Sequence, residues 1–177
     1  EKTGKVVLDD AGLSFDNQFY FSMPAEKTKK IISIGTGSAF LGKIFSNNEF
    51  DLVQTELKQL SLPEIDDYSL IILNELESVP AYLSSSLKNY LEKGGNVVII
   101  PSEKLDRPSY SQLFKVLNMG VLNVSVRKRT AINRIDYENP FFKNVFENKE
   151  ENFAYPHAEL KYNTTLNYHT GLIFFED

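Results

Sequence analysis

Residues 37 to 43 read Gly-Ser-Ala-Phe-Leu-Gly-Lys, the G-x-x-x-x-G-K spacing of a phosphate-binding loop, and they follow an apolar run built on Ile31, Ile32 and Ile34. Such a loop wraps phosphate with consecutive backbone N–H groups, sets its Lys on the β/γ oxygens and gives Mg²⁺ a Ser or Thr hydroxyl from the next position. Here that position is Ile44, which ligates nothing, and the interior Ser38-Ala39-Phe40-Leu41 is bulky where backbone must approach a ligand. Phe40, Leu41, Ile44 and Phe45 are expected on one helical face. The helix should therefore begin near Ser38, with Ser38 as its N-cap, and run to about Phe45, leaving no separate loop to hold an anion. Gly35 and Gly37 begin a G-x-G, but the third glycine of a dinucleotide fingerprint would fall at Phe40. Downstream, L-I-I-L-N-E imitates the metal-binding strand of a nucleotide hydrolase, with Asn74 in place of the ligating Asp. The nucleotide-hydrolase reading is set aside.

The other chemistry-bearing residues are few. There is no cysteine, which removes thiol nucleophiles, disulfides and Cys-ligated zinc together. His157 and His169 are the only histidines and do not stand at helical ligand spacing, so a metal site would have to recruit carboxylates from elsewhere. No metal and no cofactor is expected. Gly35 to Ser38 lacks the G-x-S-x-G pattern of a nucleophile elbow. Asn74, Glu75 and Glu77 follow an apolar strand-like run, at the carboxyl edge where open α/β sheets place their sites. Carboxylates there serve as base or ligand, and equally well solvate a loop ahead of a helix, with Glu77 near the helix N-terminus. Thr36, Ser38, Asn74, Glu75 and Ser102 are the candidate ligand-binding residues, and no catalytic residue is assigned.

The elements that must position these residues fall into three regions. Residues 1 to 24 look like a β-hairpin appendage or the end of a preceding β domain. Leu13, Phe15, Phe19, Phe21 and Met23 recur at spacing two, and Asp10-Ala11-Gly12 supplies turn chemistry. From 29 onward strands and helices alternate: strands at 31–34, 49–56, 67–73 and 96–100, and helices at 38–45, 79–93 and 110–117. Leu83, Leu87, Tyr90 and Leu91 fall at helical spacing, with Gly94-Gly95 ending that helix and Pro101 ending the strand after it. Alternation of this kind calls for a mainly parallel sheet covered by helices, a Rossmann-like three-layer α/β sandwich. Residues 121 to 177 are richer in β character. V-L-N-V-S-V alternates, N-P-F-F-K-N-V-F reads as a turn into a short amphipathic helix, and strand-like pieces lie at 158–162 and 171–175. Residues 29 to 177 are expected to form one α/β domain, β-rich from about 121.

Composition is ordinary for a globular chain, 42% hydrophobic and 24% charged. A formal charge of −5 offers no basic stripe to neutralise phosphates, so a nucleic-acid partner is not expected. The one dense basic cluster, Arg127 to Arg129, reads as a solvated edge. Apolar runs are far shorter than the ~20 residues that span a bilayer. The chain opens on E-K-T-G-K and stops just after L-I-F-F, and both ends look cut, so an excised part of a longer protein is expected.

Two stretches carry a family resemblance. D-Y-S-L-I-I-L-N-E-L-E-S-V-P, a helix, and then L-E-K-G-G-N-V-V-I-I-P-S resemble the class I glutamine-amidotransferase-like fold, and N-P-F-F-K-N-V-F is similar to a segment that often follows in such domains. More narrowly, L-S-F-D-N-Q-F-Y-F, I-L-N-E and F-A-Y-P resemble bacterial membrane proteins of the BatA aerotolerance type. Those carry two amino-terminal membrane helices, a von Willebrand A-like or β region and an amidotransferase-like domain outside the cytoplasm. An active amidotransferase needs a Cys nucleophile paired with His and Glu, so this chain cannot hydrolyse glutamine. The resemblance implies a non-catalytic extracytoplasmic (periplasmic) interaction or assembly domain, anchored through segments outside this chain and joined to other proteins of a membrane complex. Tyr20, Phe141, Phe142, Phe153 and Tyr155 are candidates for a protein-binding face. The competing expectation is a small-molecule-binding or hydrolytic domain using the five candidate residues.

Overall fold

A computed structural model describes residues 2–8, 17–23, 28–46, 48–143, 145 and 155–176 of the protein. Strands β1 (Lys2–Val7) and β2 (Gln18–Met23) pair antiparallel, Val6 opposite Phe19 and Gly4 opposite Phe21. The spacing-two pattern thus does form a hairpin, although its expected turn at Asp10-Ala11-Gly12 and residues Leu13 and Phe15 lie outside the described residues. Every residue of β2 is exposed.

The centre of the molecule is a parallel sheet of β3 (Lys29–Gly35), β4 (Phe50–Thr55), β5 (Leu70–Asn74) and β6 (Val97–Ile100), in the order β4-β3-β5-β6. Side chains alternate between its faces, as strand geometry requires. Ile32, Ile34, Ile71 and Leu73 point to one face, where they meet helices α2 (Ala81–Glu92) and α3 (Arg107–Val116) through Leu83, Leu87, Tyr90, Tyr110, Leu113 and Phe114. Burying a leucine of this kind contributes about 2 kcal/mol, so this face holds most of the stabilising area. Ile31 and Ile72 point to the other face, covered by Leu41 of the short helix α1 (Ala39–Ile44).

Helix ends follow their sequence signals. Asp106 caps α3 by accepting from the Ser109 backbone N–H at 3.0 Å, with Pro108 in the first turn. At the end of α2, Gly94 has φ +90, and the Gly95 N–H reaches back to the Tyr90 carbonyl at 3.0 Å. A glycine adopts that left-handed backbone without a Cβ penalty.

Two expectations are corrected. Phe40 and Ile44 are 70% and 49% exposed and do not share the packed face of Leu41 and Phe45. At 100° per residue the four apolar residues resolve into two i, i+4 pairs, and a helix of six residues presents only one of them to the sheet. Residues Leu62–Asp67 form a 3₁₀ stretch, so the third parallel strand begins at Leu70 and not at Asp67. Residues Pro140–Phe142 form a 3₁₀ turn capped by Asn139, and the helix expected to follow falls largely outside the described residues.

The carboxyl-terminal part contains β7 (Gly120–Val126), β8 (Thr130–Ile135), β9 (His157–Ala158), β10 (Lys161–Leu166) and β11 (Ile173–Phe175). β10 pairs with β7, and β8 lies between β11 and β9, all antiparallel. Leu122 is buried in the α2/α3 core, with Tyr162 and Leu166 packed against it, so β7 and β10 share a core with the parallel sheet. Arg127 and Arg129 are exposed and pair with Glu103 (3.4 Å) and Glu159 (3.7 Å), the solvated edge expected of that cluster. Strand β8 carries too little alternation to be read from the sequence.

Candidate functional site

Parallel strands end together, and the four turns that follow them meet at one edge. There the segments after β3 (Gly35–Gly37), β4 (Glu56–Lys58), β5 (Glu75–Glu77) and β6 (Ser102–Lys104) line a cleft of about 670 Å³. The chain passes from β3 outward to β4 and then back across to β5. Thr36 and Glu75 therefore flank the point where the winding direction reverses, which is where open α/β sheets bind ligands.

The walls are tied from behind. Asn74, 6% exposed, donates its side-chain amide to the Thr36 carbonyl at 2.7 Å. The Tyr110 hydroxyl donates to the Leu76 carbonyl at 2.7 Å, and the Tyr162 hydroxyl to the Ser102 carbonyl at 2.7 Å. The Asp106 N–H donates to the Glu77 carbonyl at 2.6 Å. Ser102 Oγ accepts from the Lys104 N–H at 3.1 Å, which folds that turn on itself. Burial pushes the Tyr110 phenol up to about 12, the nearby Tyr162 adds to the shift, and a backbone hydrogen bond from Ser102 opposes it. Tyr162 is raised as well, by burial and then Glu103, with Arg127 opposing. Both phenols thus stay protonated and donating well above neutral pH.

Of the five candidate residues, Thr36, Glu75 and Ser102 line the cleft. Asn74 lies beneath it as a brace, and Ser38 belongs to α1. Ser38 Oγ accepts from the Leu41 N–H at 3.3 Å, its own N–H donates to Gln54 Oε1 at 2.6 Å, and its carbonyl accepts from Gly42 N–H at 3.2 Å. Those three amides are occupied by the helix start and Gln54, so they are not free to wrap a phosphate. Gly35, at φ +137, lies so close to β5 that a Cβ would collide with the Asn74 carbonyl oxygen. Its glycine serves this close approach. Glu75 is a non-glycine residue at φ +54, a conformation costing about 1 kcal/mol, and its N–H bonds the Ile100 carbonyl at 2.9 Å.

Four carboxylates, Glu56, Glu75, Glu77 and Glu103, and two ammonium groups, Lys58 and Lys104, surround the space. Glu103 is paired with Arg127. Among the described residues no three metal-ligating side chains converge. Neither histidine lines the cleft: His157 sits in β9, and His169 Nδ1 lies 3.1 Å from the Leu166 carbonyl. With the carbonyls of Thr36, Leu76, Glu77 and Ser102 already accepting hydrogen bonds, the cleft offers a ligand charged side chains and the Thr36 and Ser102 hydroxyls. Glu56, Lys58, Glu103 and Lys104 were missed in the sequence, although each stands within four residues of a strand's end. Comparison with protein-family models, curated proteins and solved structures finds no significant match to this chain.

Proposed function

We propose that this chain is a non-catalytic interaction or assembly domain of a membrane-anchored bacterial protein, lying outside the cytoplasm. Its Rossmann-like core would be of the amidotransferase type, without the thiol chemistry. The observation that carries this reading is the amino-terminal hairpin. Phe19 and Tyr20 are each 68% exposed, and Val6, Val7, Leu8 and Met23 are exposed too. Among the described residues both strands pair only with each other. A two-stranded ribbon is at best marginally stable in water, and an exposed apolar patch with open strand edges marks an association surface. Val6, Phe19, Phe21 and Met23 share one side of the ribbon by register. Tyr20, with Lys5 5.7 Å from its ring centre, takes the other side. Among the other proposed aromatics, Phe141 is exposed and packs edge-on to Phe142 at 5.3 Å, Tyr155 is half-buried, and Phe153 lies outside the described residues.

A photo-activatable cross-linker at Phe19 in the full-length gene product, expressed in its native membrane, tests both halves of the reading. Cross-linking to a membrane-complex protein, together with cleavage of the domain by protease added outside the cytoplasmic membrane, is the expected result. A soluble, cytoplasmic product with no adduct at Phe19 would overturn it. The cleft favours a second reading, binding of a charged small molecule. Glu75→Gln and Asn74→Ala should then abolish a thermal shift produced by the ligand; a broad screen of charged metabolites that produces no shift counts against it.

A further inference from the structure

We infer that the free edge of β10 is a docking edge for an extended peptide segment of a partner protein, alternating apolar and acidic side chains. The inference rests on the interaction-domain reading and adds the chemistry of the partner segment. Among the described strands β10 pairs with β7 alone, so its second edge carries unpaired backbone groups. Five consecutive residues, Leu160 to Thr164, line a groove of about 570 Å³, which also touches Pro101, just past β6, and Phe175, at the end of β11. On the face of a strand only alternate residues could line such a groove; a consecutive run does so along an edge. The register slips between Tyr162, opposite Ser125, and Thr164, opposite Leu122. The extra residue therefore belongs to β7, and β10 keeps a regular edge.

The side chains set the pattern of the incoming strand. Tyr162 and Thr164 share one side of β10 with the buried Phe114 and Leu122, and the other side carries Lys161 and Asn163. Lys161 is the one charged residue of the groove and has no ion-pair partner among the described residues. An added strand repeats every second residue, so it sets apolar side chains over Phe114 and Leu122 and an acidic one beside Lys161. The five lining residues extend about 13 Å at roughly 3.3 Å per residue, room for four or so residues of peptide. In strand addition main-chain hydrogen bonds supply affinity and alternate side chains supply specificity.

The test is ¹⁵N–¹H NMR titration of the full 177-residue chain with acetyl-Val-Glu-Val-Thr-amide. Three controls accompany it: the same peptide with Lys for Glu, a copy with N-methylated backbone amides, and octanoate. Saturable shifts at the amides of Leu160 to Thr164 and at Phe175 are expected. Binding should be about fivefold tighter than for the Lys peptide, the worth of one exposed ion pair, and Lys161→Glu should reverse that order. The proposal is overturned if no saturable shift occurs, if shifts map to β2 instead, or if the N-methylated copy or octanoate binds as tightly. A silent groove with cross-linking at Phe19 retained removes this inference alone; loss of both removes the interaction-domain reading with it.

Discussion

Asn74 occupies the position where a nucleotide hydrolase would carry its metal-binding Asp, yet its amide nitrogen holds the Thr36 carbonyl across the cleft floor at 2.7 Å. Replacing it by Ala leaves that carbonyl without its donor in a partly buried setting, a loss of about 1 kcal/mol, measurable as a lower urea midpoint at unchanged slope. An unchanged midpoint would mean that water replaces the bond at no cost. Tyr110 gives a pH signature. Its folded pKa is raised above the unfolded value, so the unfolded chain releases the proton first and stability falls as pH rises. The contribution is complete below pH 10 and is lost on the way to about 12. Tyr68 and Tyr162 are shifted in the same direction, so Tyr110→Phe should shrink the alkaline loss without removing it. Denaturant midpoints between pH 9 and 12 compare the two chains, and identical slopes would contradict the role given to burial.

At the scale of elements, α2 is the support of the parallel sheet. Leu83, Leu87 and Tyr90 are buried at helical spacing, and the Tyr90 hydroxyl donates to the Tyr68 carbonyl at 2.8 Å. Leu87→Ala should cost about 3 kcal/mol, a transfer loss plus a cavity, whereas Phe40→Ala on exposed α1 should stay within about 0.5 kcal/mol. Parallel measurement of both variants checks the assignment of faces. The parallel strands and α2 were legible in the sequence because each is long enough, or apolar enough, to display its period. α1 was legible as a helix but not as to which side it buries, since four apolar residues in six cannot report a direction. The start of β5 was misread because Leu62–Asp67 places its one proline and its acids in a 3₁₀ stretch, a choice settled by packing of Ile65 in the core.

For the whole molecule, β7 and β10 join the core of the parallel sheet through Leu122, Tyr162 and Leu166, whereas among the described residues the hairpin pairs only with itself. Residues 29 to 177 should therefore unfold in a single transition, seen alike by far-UV circular dichroism and by tyrosine fluorescence. Removing residues 1 to 23 should move that transition by no more than about 0.5 kcal/mol. Two separate transitions, or a large loss on truncation, would show that the domain is divided differently. The sequence alone determined the alternation of strands and helices from β3 to α3, the capping of α1 by Ser38 and the lack of thiol chemistry. These depend on local periodicity and residue type, which neighbours along the chain fully specify. Only the tertiary structure decided that Asn74 braces while Glu75 lines, that two tyrosines hold the cleft from behind, and that β10 keeps an open edge. Each of these is a contact between residues tens of positions apart, and no pattern within one segment records which distant carbonyl or strand it will meet.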